Sequence, residues 1–181
     1  MAPSPDLKSE RLCLRSFSER HLSERYVSWL NDTDTTKFSE QRHRLHTMGS
    51  CRQFVQSFST GPNQLWAIET SDTEEHIGNV TVSHDTNNRI ADIGILIGSK
   101  TVRGCGYGYA AWKAVLEYLS GRDDIYKITG GCMQPNKAMV RIMESCGMTL
   151  DCIRADHFLL DDLPANLVYY STPGIWKPIK T

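Results

Sequence analysis

Ile93-Gly-Ile-Leu-Ile-Gly98, Ser99-Lys-Thr-Val102 and Arg103-Gly-Cys-Gly-Tyr-Gly108 follow one another without a break. An apolar run of strand length leads into a turn with glycine at every second position. A stripe of helical period comes next, through Ala111, Trp112, Val115, Leu116 and Leu119. Three glycines at the start of a helix are a costly choice, at about 1 kcal/mol each relative to alanine. They make sense where main-chain N–H groups must approach a ligand, because glycine allows the tight backbone and a helix N-terminus carries roughly half a positive charge. The segment therefore reads as an anion-binding turn. A P-loop would close on Gly-Lys-Ser/Thr, but Gly106 is followed by Tyr107. A dinucleotide fold would space its glycines G-x-G-x-x-G after parallel βαβ units; here the spacing is G-x-G-x-G and position 109 is Tyr.

Outward from this turn, residues 65–70, 77–83 and 89–98 read as an antiparallel meander, with turns at 71–75 and 85–88. Upstream, residues 11–15 alternate like a strand. Ser18 is placed to cap a helix carrying Leu22, Tyr26, Trp29 and Leu30, and residues 33–46 form a polar loop. A second helix, capped by Thr47 or Ser50, carries Cys51, Phe54, Val55 and Phe58. Downstream of the glycine turn, the helix over 105–120 ends at Gly121 and a strand spans 125–133. Asn136 opens a helix with Ala138, Met139, Ile142 and Met143 on one face, ended by Gly147. Two strands, 149–160 and 166–171, are joined by a turn at 161–164. Residues 1–7 read as a loose leader, 8–172 as a single domain and 173–181 as a tail.

The 181 residues are 40% hydrophobic and 23% charged, as expected of one folded domain. Twenty Lys+Arg against 21 Asp+Glu give a net charge of −1, which excludes a broad basic footprint for nucleic acid or an acidic membrane. No apolar run approaches the ~20 residues that span a bilayer, and the first residues lack the pattern of a secretory signal. Six cysteines without a CxxC pair fit free thiols in a reducing cytoplasm and no metal site.

Arg103-Gly-Cys-Gly-Tyr-Gly108 resembles R/Q-x-x-G-x-G/A, the acetyl-CoA signature of the GNAT superfamily of N-acetyltransferases. Asn136-Lys-Ala-Met-Val-Arg-Ile-Met-Glu-Ser-Cys-Gly-Met148 is similar to that family's segment after the next strand, and the order of elements agrees over residues 8–172. Ser9-Glu-Arg-Leu-Cys-Leu-Arg15 resembles the branch that acetylates ribosomal-protein N-termini, with its many small-molecule relatives. Tyr26-Val-Ser-Trp-Leu-Asn-Asp32 and Ser39-Glu-Gln-Arg-His43 are more similar to transferases acting on nucleotide-linked amino sugars.

The resemblance implies an α/β (mixed α+β) fold: a mostly antiparallel, twisted sheet of about seven strands with about four helices on both faces. It implies acetyl-CoA as acetyl donor and no metal. The backbone of Ile95, Leu96 and Ile97, on a strand splayed from its neighbour, would hold the pantetheine arm. The N–H groups of Arg103, Gly104, Cys105, Gly106, Tyr107 and Gly108 would cradle the pyrophosphate, and Asn136 would contact the arm. Direct transfer needs a neutral amine, hence a base. Asp92 is the first choice, against an ordinary exposed strand carboxylate; His84 is a possible relay, against a solvated turn histidine. Glu40, Arg42, His43 and His46, in the polar loop, would wall the acceptor site, unless the loop is merely solvated. The helix positions at which relatives carry a proton-donating Tyr or Ser are Met143 and Met139, so the general acid is unassigned among Tyr169, Tyr170 and water. Cys105 reads as a small filler, and Trp66 and Trp112 as core.

The expected function is transfer of acetyl to a primary amine of a small molecule by a monomer or homodimer. A protein N-terminal amine is the alternative acceptor, and a catalytically silent acyl-CoA-binding module the alternative class.

Overall fold

The computed structural model describes residues 4–173. Eight strands form one sheet in the order β1-β2-β3-β4-β5-β6-β8-β7. They are β1 (Leu7–Lys8), β2 (Leu12–Ser16), β3 (Gln64–Thr70), β4 (His76–Asp85), β5 (Ile90–Ile97), β6 (Lys127–Met133), β7 (Thr149–Leu160) and β8 (Leu163–Pro173). Every pairing is antiparallel except β5 with β6. Five α-helices complete the fold: α1 (Glu24–Asn31), α2 (Thr33–Thr36), α3 (Met48–Ser57), α4 (Tyr107–Ser120) and α5 (Lys137–Ser145).

The alternation within β4 shows how the sheet sorts its two faces. Val80 and Val82 are fully buried with Trp66, Ile93, Trp112 and Val115 in the main core, against α4 and α5. The intervening Asn79, Thr81 and Ser83 point to the other face. There a second cluster, including Tyr26, Leu30 and Cys51, packs α1 and α3 on the sheet. The stripe expected on α4, from Ala111 to Leu119, is buried as its period requires.

Several boundaries differ from the sequence reading. Ser18 precedes only a 3-10 turn, Glu19–His21; α1 starts one turn later, capped by Ser23, whose side chain accepts from the Tyr26 N–H. The polar loop holds α2 and a second 3-10 turn, Glu40–His43. The leader is tied down: β1 pairs with β2, Trp66 donates its indole N–H to the Pro5 carbonyl at 2.8 Å, and Arg15 pairs with Asp6. The last hairpin turns in two residues, Asp161 and Asp162, with φ of 51° and 62°, so β8 begins earlier and runs longer than expected. Most of the expected tail, residues 174–181, lies outside the described residues.

Candidate active site

A 3-10 turn, Lys100–Val102, carries the chain from β5 to the glycine turn. Gly104 and Gly106 have φ of 77° and 86°, left-handed values that favour glycine, and Gly106 occupies the cap position of α4 with no side chain to satisfy the first helical N–H groups. The N–H groups of Arg103 and Cys105 bond back to the carbonyls of Lys100 and Val102, at 3.3 and 3.2 Å. Those of Gly104, Gly106, Tyr107 and Gly108 have no acceptor among the described residues. Of the six residues expected to cradle an anion, four thus present free main-chain donors, and a Cβ at Gly104 would touch nothing within 4 Å.

Arg11 adds a charge that the sequence reading did not place here. Its Nη1 donates to the Cys105 carbonyl at 2.6 Å, and its guanidinium lies 4.8 Å from the centre of the Tyr107 ring. The Arg103 side chain points elsewhere, donating to Thr35 Oγ1 at 2.5 Å. Lys100 Nζ lies 2.9 Å from Asp32 Oδ1 and 3.4 Å from Asp34 Oδ2. These contacts strap the turn to α2. Hydrogen bonds from Thr35 and then Lys100 hold the Asp32 carboxyl at about 2.

β5 and β6 pair only at Ile90–Lys127, Ala91–Ile128 and Asp92–Thr129. Beyond that point β6 continues against β8, while β5 keeps only β4. The backbone groups of Ile93–Ile97 that face away from β4 are therefore unpaired. The side chains of Ile95 and Ile97 pack on the main core and Leu96 on the second cluster, so the strand stays anchored while its edge is bare. Asn136 caps α5 by accepting from the Met139 N–H at 3.2 Å and lines the same cleft as Gly94, Ile95 and Leu96.

A family model described as an acetyltransferase (GNAT) domain matches residues 11–149. The chain belongs to the GNAT acetyltransferases. No curated protein sequence matches it. Among solved structures, a GNAT-family acetyltransferase from Bacillus anthracis aligns with a TM-score of 0.79 at 20% identity, covering 93% of this chain and 98% of that one. The Salmonella typhimurium acetyltransferase that modifies the N-terminal serine of ribosomal protein L7/L12 aligns at 0.77 and 18%, covering 93% and 99%. Spermidine N-acetyltransferase from Vibrio cholerae, solved with CoA and spermine, aligns at 0.80 and 15%, covering 91% and 96%. These likenesses are of fold, and a protein N-terminus and a polyamine are very different acceptors.

On the α1–α3 face this GNAT domain has two compartments that share Phe38 as a wall. The larger, about 570 Å³, runs over β4 and β5 beneath α1 and α3. The smaller, about 270 Å³, is lined by Asp92, Glu40, Arg154, His157 and Tyr169. Asp92 is half-buried at the last paired position of β5. Thr129 Oγ1 donates to its Oδ2 at 2.6 Å, leaving Oδ1 without a partner among the described residues. Burial raises its carboxyl above the ordinary value, and the Thr129 bond only partly opposes this. Asp92 is thus a half-buried carboxylate with one oxygen held by Thr129, rather than an exposed one.

His84 is not brought to this face. It alternates with Ser83 and lies on the α4 side of β4, with Nε2 3.0 Å from Gln64 Oε1; Gln64 in turn donates to the Tyr118 hydroxyl. Burial first, and Arg122 second, lower its pKa. Of the expected loop cluster, Glu40 lines the small compartment, whereas Arg42 and His43 line neither. Arg42, 15% exposed, is spent as a clamp: Nη1 donates to Glu40 at 2.8 Å and Nη2 to the Leu159 carbonyl at 3.0 Å, tying the loop to the last hairpin. His46 does line the large compartment.

Met143 and Met139 are both buried, Met143 completely. Tyr170 also faces that core and donates to Glu144 at 2.9 Å; burial and then this carboxylate raise its phenol. Tyr169 lines the smaller compartment. A Cβ on Gly131 would fall 2.8 Å from Tyr169 Cε1, so glycine there is what lets the ring lie across β6. Arg154 reaches the compartment by ordinary pairing with Leu167, on the face of Tyr169, and His157 lies within the register shift between Arg154 and Phe158; neither the pairing nor the bulge is readable from sequence. The polar stripe Asn79, Thr81 and Ser83 had a readable signal: three polar residues at period two, opposite a buried valine face.

Among the described residues there is no group of three or more His, Cys, Asp or Glu side chains that could hold a metal. No described helix is long and apolar enough to cross a membrane.

Proposed function

We propose that this GNAT acetyltransferase uses acetyl-CoA to acetylate a primary amine of a small molecule by direct transfer, with Asp92 as the base. The observation that carries the reading is the parting of β5 from β6 at Asp92, one strand length from four free main-chain donors at the start of α4. Four N–H groups and Arg11 suit a diphosphate, the bare edge of Ile93–Ile97 suits an amide-bearing arm, and the Asn136 carboxamide flanks the same cleft. The donor supplies an activated acyl carbon. The chain's own work is to hold an amine next to it and take the proton that the amine must lose.

An aliphatic ammonium or α-ammonium is mostly charged at neutral pH. Asp92, its carboxyl raised by burial, is a better proton acceptor than a solvated aspartate. Asp92 takes one proton from the ammonium and frees its lone pair; as the neutral amine forms the C–N bond and the thioester C–S bond breaks, the nitrogen gives up its second proton, which balances the thiolate that leaves. A thiol of ordinary pKa, about 8.5, can depart without an acid; Tyr169, on the same compartment, is the hydroxyl available to reprotonate it. His84 has no part in this reading.

A small acceptor of the nucleotide-linked amino sugar type agrees with two open-mouthed compartments meeting at Phe38. The test is thiol release from acetyl-CoA over a panel of amines: amino sugars and their nucleotide conjugates, polyamines, and peptides with free N-termini. Release on small amines is expected. A preference for peptides would replace the acceptor, and tight acetyl-CoA binding with no release on any amine would make the protein a silent binding module.

A further inference from the structure

The larger compartment contains two polar atoms that the fold leaves unsatisfied. Asn79 is 7% exposed, and its Oδ1 has no hydrogen-bond partner; the buried Nε2 of His46 has none either. Both residues line the compartment. An orphaned buried acceptor costs about 1–3 kcal/mol, and native folds rarely leave one without a reason. Neither group is loosely held. Asn79 sits mid-strand, paired to Ala67 on β3 and Leu96 on β5. The His46 backbone is bracketed by the Asn31 side chain, which accepts from its N–H and donates to its carbonyl, both at 2.8 Å.

The surroundings narrow what could satisfy them. Tyr26, Phe54 and Phe58 supply aromatic walls, and no Asp or Glu lines the compartment. Arg44 is its one Lys or Arg side chain, exposed, and its guanidinium has no carboxylate partner among the described residues. A polycation would meet no counter-charge there and one like charge. A planar heterocycle with a donor and an acceptor on adjacent edge atoms would pair with a carboxamide in two hydrogen bonds and stack on the rings. A phosphate attached to it would reach the guanidinium.

We infer that the β4 side of the compartment beneath α1 and α3, beside the Ile95–Leu96 edge and Asn136 that the coenzyme arm would take, is a nucleotide subsite, in which Asn79 and His46 read the edge of a nucleobase and Arg44 receives its phosphate. The inference rests on the acetyltransferase reading, since it places the body of the acceptor there and its amine towards Asp92. Along the sheet, Asn79 pairs with Leu96 and Ser83 with Asp92, four residues apart. That is roughly 13 Å at about 3.3 Å per residue, so the recognised ring and the reacting amine belong to different parts of one molecule.

The experiment is calorimetric titration of the full chain, saturated with coenzyme A, with AMP, UMP, ribose 5-phosphate and spermidine. At least one nucleotide should bind, ribose 5-phosphate should bind about tenfold more weakly or worse, and spermidine should show no binding. Asn79→Leu should weaken the nucleotide about tenfold and leave coenzyme A affinity within about twofold. Because Asn79 is buried, Phe54→Ala, on a partly exposed wall, gives a second variant that should weaken the nucleotide about fivefold. Equal binding of ribose 5-phosphate and the nucleotides, nucleotide affinity unchanged in both variants, or no nucleotide binding at all would overturn the subsite. Failure of coenzyme A to bind would instead overturn the donor site, and the same titrations on the free chain would then decide the subsite.

Discussion

The two halves of β5 are made of similar residues and do different work. Ile90–Asp92 is paired on both sides, to β4 and to β6; Ile93–Ile97 is paired on one side only. In both halves alternate side chains enter the main core, so the apolar pattern is continuous across the boundary. What changes is the main chain: fully satisfied in the first half, half-open in the second. A strand can be anchored by its side chains and still offer its backbone to a ligand. Asp92 stands at the boundary, with enough sheet around it to be desolvated and an opening beside it for an amine.

The most forceful way to break this picture is at the turn beyond the open half. Gly106→Asp should reduce acetyl-CoA affinity about 100-fold or more, because a carboxylate at about 4 Å from a phosphate costs several kcal/mol in a near-surface dielectric. Gly106→Asn is the control. Asn and Asp share tolerance for a left-handed backbone, and the new Cβ would meet only Arg11 Nη1, at 3.3 Å, at the end of a flexible side chain. If both variants lose affinity equally, shape rather than charge governs the turn, and the four donors are not an anion cradle. Thermal melting of the two variants, expected to agree, checks that neither has unfolded.

Next in size is the boundary residue. Asp92→Asn should lower kcat by about 10²–10⁴ with coenzyme affinity nearly unchanged. It should also move stability in the opposite sense to activity. Burial raises the Asp92 carboxyl in the folded state, so the native protein holds this proton to higher pH than the unfolded chain. Stability is then lost as pH rises through that window. The variant lacks this loss. It should melt at or above the wild type at pH 7, with the advantage shrinking as pH falls through the carboxyl's range. Lower melting at pH 7 together with unaltered kcat would mean that Asp92 serves the Thr129 bond and nothing else.

How far the sequence carried follows the same division between side chain and backbone. The α4 stripe, the β3–β5 meander and the glycine turn are written in side-chain period and in residues that only special backbone positions need, and each stands close to where the pattern puts it. Which N–H groups of the turn remain free could not be read, because Arg103 and Cys105 lose theirs to carbonyls three residues back. Nor could the Arg42 clamp, whose acceptor is a main-chain carbonyl 117 residues away. A polar loop rich in Arg and His advertises charge, but pairing decided in three dimensions determines which charges are left over. Arg42 is consumed, whereas Arg44, two residues on, lines the large compartment. His84 is a different kind of miss. Strand parity puts it on the side of Val80 and Val82, opposite Ser83 and Asp92.

That parity supplies the smallest and cleanest test. His84 pairs with Ala91 and Ser83 with Asp92, adjacent rungs of one ladder facing opposite sides of the sheet. His84→Ala should therefore leave kcat and the pH–rate profile within about twofold of wild type, where a relay would shift both. Its cost should fall on folding, about 1 kcal/mol for the lost bond to Gln64. The pH dependence of that cost has a definite sign. Burial and the neighbouring Arg122 lower the folded-state pKa of His84, so below about 6.5 the unfolded chain takes up a proton that the native protein resists. The native advantage is complete above that pH and erodes beneath it, so the stability gap between wild type and His84→Ala should narrow on acidification. A gap that widened instead would mean that His84 is charged in the native state, and the α4 side of β4 would need a carboxylate partner for it.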